Sequence, residues 1–279
     1  MSTRPFGSTQ VEVPKIGLGT WQMEGDDRAS AVAALRAGLD AGMTHVDTAE
    51  LYGSGRVEEL VAEAIAGRRD EIFLVSKVLP TNASRKGTLR ACEASLRRLR
   101  TDRLDCYLLH WPGSHPLEDT LAAFEELVTA GKIKSYGVSN FDEEELEAAV
   151  AIVGRGRIAC NQVLFHLEER RVEHAVVPYC EERGIAIVGY TPFGRAAFPP
   201  PRGAAVLNEI ARQRGVTPRQ VALAFLTRRP GWFAIPKSAS AVHTRENAGA
   251  LGLELDAAAV SALDAAFPRG KQRRGVATL

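Results

Sequence analysis

The chain has 279 residues, 45% hydrophobic and 25% charged, with a formal net charge of +1. This composition describes a soluble globular protein of one large domain or two average ones, and the near balance of charge gives no ground for nucleic acid or a membrane surface as partner. No apolar run reaches the ~20 residues that cross a bilayer, and the opening MSTRPFGSTQ is too polar for a secretion signal.

Short β-rich segments alternate with longer amphipathic ones. The strand candidates are 16–19, 44–48, 72–77, 104–110, 135–139, 158–163, 185–190 and 233–235. Between the first two, DRASAVAALRAGLDA opens after Asp26, a good helix N-cap, and stops at Gly42. EDTLAAFEELVTA (118–130) puts Leu121, Phe124 and Val128 on one face and ends before Gly131. Asp142 is placed to cap a helix running to Val153, with Glu143 to Glu145 favourable at its positive end. FPPPRG, at 198–203, stiffens a loop after the seventh strand rather than joining two domains.

Eight such units fit a (β/α)8 TIM barrel of about 250 residues. A doubly wound open sheet uses the same alternation and is the competitor. The expected architecture is a single α/β domain over residues 1–279, with a short β-hairpin at the N-terminus. Cys92, Cys106, Cys160 and Cys180 are scattered without C-x-x-C or zinc-finger spacing. No metal site is expected, and a reducing cytoplasm is the expected location.

In a barrel, chemistry collects where strands exit into βα loops. Polar residues do end the apolar runs: HVDT at Asp47, FLVSK at Lys77, YLLHW at His110, GVSN at Ser139 and Asn140, IVGY at Tyr190, AIPKS at Lys237 and Ser238. The sixth strand carries Asn161 and Gln162. Each alone has a structural explanation, as turn former, snorkelling lysine or packed ring. Together, Asp47, Lys77 and His110 should converge near the barrel axis, with the Tyr52 loop leaving the same rim. An ammonium beside a phenol favours the phenolate, so Lys77 is expected to lower the Tyr52 pKa from about 10. Asp47 would hold Lys77 charged, and His110 would orient a substrate oxygen or relay a proton. This is a phenolic general acid suited to protonating an alkoxide as a carbonyl is reduced. Trp111 either walls an apolar pocket or fills core.

The sequence resembles the aldo-keto reductases over essentially its whole length. The resemblance rests on GLGTW (17–21), DTAELYG (47–53), SLRRLRTDRLDCYLLHWP (95–112), GKIKSYGVSNF (131–141), NQV (161–163), GYTPFGR (189–195) and IPKS with REN behind it. It implies a catalytic tetrad of Asp47, Tyr52, Lys77 and His110, with Tyr52 as proton donor and a nicotinamide dinucleotide extended across the barrel mouth. By the same resemblance, Ser139, Asn140 and Gln162 hold the carboxamide and Tyr190 stacks on the ring. Thr191, Pro192 and Phe193 belong to the cofactor-covering loop. Lys237 and Ser238 meet the adenosine 2′-phosphate, and Glu246 and Asn247 approach the adenine. Thr20, Trp21 and Asp47 fall near the cofactor, and Trp21, Tyr52, His110 and Trp111 near the substrate.

No G-x-G-x-x-G follows the first strand, and GSGR at 53–56 lacks the third glycine. Phosphate must be held by other means. Lys237 points to NADPH, but His243 stands where many family members carry an Arg, which weakens the preference and leaves NADH possible. Arg245 lies two residues on, where a helix would turn it elsewhere. Thr191 and Phe193 replace the family's usual Ser and Leu, and Phe193 is expected to reshape the covering loop. The basic tail KQRRGVATL reads as a solvated end, although the resemblance also offers a C-terminal segment that lines the substrate pocket.

The sequence reading is therefore an NADP(H)-dependent reductase of aldehydes or ketones, monomeric, acting on a small-molecule carbonyl substrate. Two alternatives stand beside it: a nucleotide-sensing regulatory subunit with little turnover, and a Schiff-base lyase using Lys77 or Lys237.

Overall fold

The computed structural model describes residues 3–279. Two short strands, β1 (Thr3–Pro5) and β2 (Glu12–Pro14), form the antiparallel hairpin expected at the N-terminus, with Arg4 opposite Val13. Eight parallel strands follow in chain order: β3 (Leu18–Gly19), β4 (His45–Asp47), β5 (Phe73–Val78), β6 (Leu104–Leu109), β7 (Ile133–Ser139), β8 (Ile158–Leu164), β9 (Ala186–Tyr190) and β10 (Trp232–Ile235). The sheet closes on itself. Bridges join Ile16 to Ala234 and Gly19 to Lys237, and Gly17 N–H donates to Ala234 O at 2.8 Å. Closure excludes the open doubly wound sheet.

Helices return the chain outside the barrel: α1 (Arg28–Asp40), α2 (Arg56–Ala64), α3 (Arg85–Leu99), α4 (Leu117–Thr129), α5 (Glu143–Val153) and α6 (Val176–Arg183). α7 (Ala204–Arg214) and α8 (Pro218–Leu226) both lie between β9 and β10, and α9 (Ala241–Ala248) and α10 (Ala257–Ala266) follow β10. Asp142 and Glu145 form a reciprocal capping box on α5. One capping expectation is corrected. Asp27, not Asp26, caps α1, its side chain accepting from Ser30 N–H at 2.9 Å. The Asp26 carboxylate turns elsewhere.

The strand period of two sorts the barrel interior into layers. The lowest layer holds His45, Phe73 and Phe233, and the hairpin inserts Phe6 among their rings at centroid distances of 5.6, 4.7 and 5.1 Å. Burying such a ring is worth about 1.5–3 kcal/mol, so Phe6 plugs the bottom of the barrel. Val75, Cys106, Leu108, Cys160, Val188 and Ile235 fill the space above. Gly137 is small because a Cβ there would lie 2.6 Å from Cys160 O. Continuing each inward series by two residues gives Asp47, Lys77, His110, Gln162, Tyr190 and Lys237. The polar residues that end the apolar runs are thus the topmost inward positions, at the C-terminal rim.

Candidate active site

Tyr52 reaches the rim from a tight turn. Gly53, Ser54 and Gly55 all have positive φ, at 57°, 55° and 90°, and a Cβ on Gly55 would lie 2.5 Å from the Arg98 side chain. The glycines of GSGR therefore serve this turn and its passage into α2.

Behind the cavity floor Lys77 is fully buried. Its ammonium donates to Asp47 Oδ1 at 2.6 Å, Thr48 O at 2.9 Å and Tyr52 OH at 3.2 Å. Gln162 Nε2 donates to the other Asp47 oxygen at 2.7 Å, and Thr20 Oγ1 to Asp47 O at 2.9 Å. The His110 ring meets Tyr52 edge-on at 5.7 Å and leans on Trp111 at 4.8 Å. Asp47, Tyr52, Lys77 and His110, predicted from separate strand ends, therefore form one contact cluster.

The electrostatics differ from the sequence expectation in one respect. Burial pushes the Tyr52 phenol above its usual pKa; Lys77 pulls it back, Asp47 opposes that pull, and burial wins. Tyr52 is a neutral phenol at pH 7, and Lys77 limits the cost of its phenolate rather than creating it. For Lys77 burial acts downward, but the Asp47 carboxylate and the Tyr52 oxygen together hold the ammonium above its ordinary value. Burial draws Asp47 upward against its bonds to Lys77 and Gln162. His110 is pushed down to about 2, first by burial and then by Lys77. It is neutral, so of the two roles open to it, orienting an oxygen fits and relaying a proton as imidazolium does not.

A second cluster lies across the rim. Asn140, at φ 60°, donates from Nδ2 to His110 O and Ser139 Oγ, both at 3.1 Å, while its Oδ1 accepts from Tyr190 OH at 2.9 Å. Thr191 also has a left-handed φ, of 53°. Asn adopts this conformation more readily than most residues, but for a β-branched Thr it is strained, and such strain collects at functional sites.

These groups open onto a cavity of about 960 Å³. Thr20, Trp21, Asp47, Tyr52, His110, Trp111, Ser139, Asn140, Gln162, Tyr190, Thr191, Pro192, Phe193 and Lys237 line it. Trp111 is 37% exposed at the mouth, so it walls the pocket rather than filling core. Phe193 packs on Phe198 at 5.1 Å, and the Arg219 guanidinium lies over both rings at 4.8 and 4.9 Å, clamping the loop after β9.

Four residues fall outside the cavity lining. Ser238 Oγ bonds to the Ser240 backbone; Glu246 lies on α9 and its carbonyl accepts from Gln220; Asn247 is buried; His243 is exposed on the first turn of α9. Lys237 forms an ion pair with Asp26 at 2.5 Å.

Sequence reasoning missed Leu51, Glu145 and Arg195 as cavity walls. The solvated tail is corrected in part. Lys271, Arg273 and Arg274 are exposed, but Val276 packs on the apolar cluster, and Gly275, Thr278 and Leu279 border the cavity with it. A lone Val after a basic run carries no periodicity that would reveal this.

The chain matches the family model described as "Aldo/keto reductase family" over residues 15–267. It is 44% identical over 270 residues to Methylglyoxal reductase YeaE of Escherichia coli, covering 95% of this chain and 94% of that one. An aldo/keto reductase from Klebsiella pneumoniae, solved in complex with NADP and acetate, superposes with a TM-score of 0.92 at 44% identity, covering 100% of this chain and 99% of that one. A second Klebsiella pneumoniae aldo-keto reductase, in complex with NADPH, gives 0.93 at 42% identity, with 100% of both chains covered. By family model, relatives and barrel alike, the chain belongs to the aldo/keto reductase family.

Proposed function

We propose that the chain reduces small aldehydes and ketones with NADPH, Tyr52 giving the proton and Asp47, Lys77 and His110 supporting it. The observation that carries this is the buried Lys77 ammonium, 2.6 Å from Asp47 and 3.2 Å from the Tyr52 hydroxyl.

The residues at the rim fit a nicotinamide dinucleotide. Gln162 spends its Nε2–H on Asp47, leaving its carbonyl oxygen for a carboxamide N–H, and Asn140 Oδ1 keeps a second lone pair. Tyr190 offers an aromatic face steadied by its bond to Asn140. Asn247 Oδ1 is a buried acceptor without a protein partner, chemistry suited to an adenine amine. Thr191, Pro192 and Phe193 would cover the dinucleotide, while Lys237, Ser238 and Glu246 would meet its adenosine end. When bound, the cofactor supplies the hydride.

The chain's own residues supply the rest. Neutral His110 donates one N–H to the substrate oxygen and aligns it. As negative charge grows on that oxygen, Tyr52 releases its proton to it. Lys77, held charged by Asp47, stabilises the phenolate left behind in a site where burial alone would forbid it. Trp21, Trp111 and Leu51 give apolar walls suited to a compact oxo-aldehyde. The E. coli relative is named for methylglyoxal, a substrate of that kind. A Schiff-base role is disfavoured, because Lys77 is held protonated and Lys237 is paired.

No described helix is long and apolar enough to cross a membrane, and one chain carries every group invoked. We read the protein as a cytoplasmic monomer over a single domain. The test is NADPH consumption against aldehydes, ketones, keto esters and open-chain sugars, with NADH in parallel. Turnover of oxo-aldehydes supports the reading; cofactor binding without turnover across the panel overturns it in favour of a sensing subunit.

A further inference from the structure

Asp26 has no part in the chemistry described above, yet it occupies a telling place. It follows the short turn Met23–Gly25 on the loop leaving β3, and Asp27 has already taken the helix cap. Its carboxylate is free to face the seam where the barrel closes, and there it meets Lys237. The two side chains are 29% and 33% exposed, and the contact is 2.5 Å. Asp26 Oδ2 is shut off from solvent and makes no well-angled hydrogen bond, so the contact is an ion pair above all. Lys237 in turn lines the cavity, directly after β10 and bridged to Gly19. No other acidic side chain lies within ion-pair distance of Lys237 among the described residues.

We propose that Asp26 is a specificity-setting residue that acts through Lys237. By holding the ammonium in a neutral pair, it withdraws positive charge from the 2′-phosphate of NADPH and so narrows the preference for NADPH over NADH. This rests on the reading that Lys237 meets the 2′-phosphate. A phosphate approaching a lone ammonium is attracted; approaching a paired one, it meets repulsion from the carboxylate as well. Both side chains are about a third exposed, so solvent and salt screen the pair in part, while the contacting Asp26 oxygen is itself shielded. An imidazole, unlike a guanidinium, is not a permanent cation, so His243 adds no second fixed positive charge on the first turn of α9 to compensate. Asp26 thus sets how much of one cation's charge the cofactor can use.

The test is Kd for NADPH and NADH, by fluorescence titration, in wild type, Asp26→Asn, Asp26→Ser and Lys237→Met, with kcat and KM measured for each cofactor. Asn keeps the shape of Asp and an oxygen for Lys237, so the ammonium stays in place. Asp26→Asn and Asp26→Ser are expected to tighten NADPH about tenfold, a gain of about 1.4 kcal/mol, and to leave NADH within about twofold. The KM for NADPH should fall while kcat with NADH holds. If Lys237→Met weakens NADPH selectively but neither Asp26 variant tightens it, the inference is overturned and the phosphate role of Lys237 stands. If Lys237→Met weakens NADPH and NADH equally, both are overturned.

Discussion

Replacing Lys77 by Met strands a carboxylate in the barrel. The Lys77 and Asp47 side chains are 0% and 2% exposed, and the 2.6 Å contact is the principal neutralisation of Asp47. Breaking a buried pair from one side costs about 3–5 kcal/mol. Two features pull the loss toward the lower figure: Gln162 still donates to Asp47, and burial already raises the carboxyl pKa, so the group can take up a proton. Asp47→Asn/Lys77→Met removes both charges and should recover most of that stability, leaving a deficit of about 1–2 kcal/mol for altered hydrogen bonds. Activity should behave differently. Without the ammonium, the Tyr52 phenolate has nothing to offset burial, and kcat should fall by roughly 10²–10⁴-fold in the single and double variants alike. Urea unfolding and NADPH-coupled turnover on the same preparations separate the two effects. A single variant as stable as wild type, or a double variant that regains turnover, would refute the reasoning.

Burial lowers the pKa of His45 to about 3 and of His110 to about 2. Below pH ~6.5 the unfolded chain binds protons that these folded imidazoles refuse, so stability is full above that pH and falls as pH drops toward 3. Each should cost about 2 kcal/mol between pH 7 and 5, and His45→Phe should remove one such share from urea curves taken at the two pH values. Phe6→Ala, which empties the bottom layer, should destabilise by about 3–5 kcal/mol while leaving kcat within about twofold, because Phe6 lies at the far end from the rim. Arg219→Ala releases the clamp on Phe193 and Phe198; NADPH dissociation followed by stopped flow should accelerate several-fold, and an unchanged rate would show that the clamp does not govern the loop.

The features that could be read from residues are those with local causes. Alternation of β-rich and amphipathic segments placed every barrel strand to within two residues at either end. The largest shifts are at Ile16, which joins the sheet only as an isolated bridge, and at Ile133, where β7 begins two residues early. The strand period of two makes Asp47, Lys77 and His110 the last inward residues of their strands, so their convergence followed from fold class alone. What escaped depends on neighbours distant in sequence. Whether Tyr52 is more or less acidic than a free phenol turns on burial against one ammonium, and burial has no local signature. Asp26 and Asp27 are equivalent as caps on paper; only the closing seam, which brings Lys237 alongside, tells them apart. The tail's return to the cavity brings Val276 into apolar contacts with residues far away in the chain.

The central claim is that the Tyr52 phenol, backed by Lys77, delivers the proton. Single-turnover oxidation of enzyme-bound NADPH by methylglyoxal, followed at 340 nm in wild type and Tyr52→Phe, tests it most directly. Phe keeps the ring against His110 and removes only the hydroxyl. Cofactor affinity should stay within about twofold while the oxidation rate drops by roughly 10²–10⁴-fold. A Tyr52→Phe enzyme that oxidises its NADPH at the wild-type rate would contradict the account.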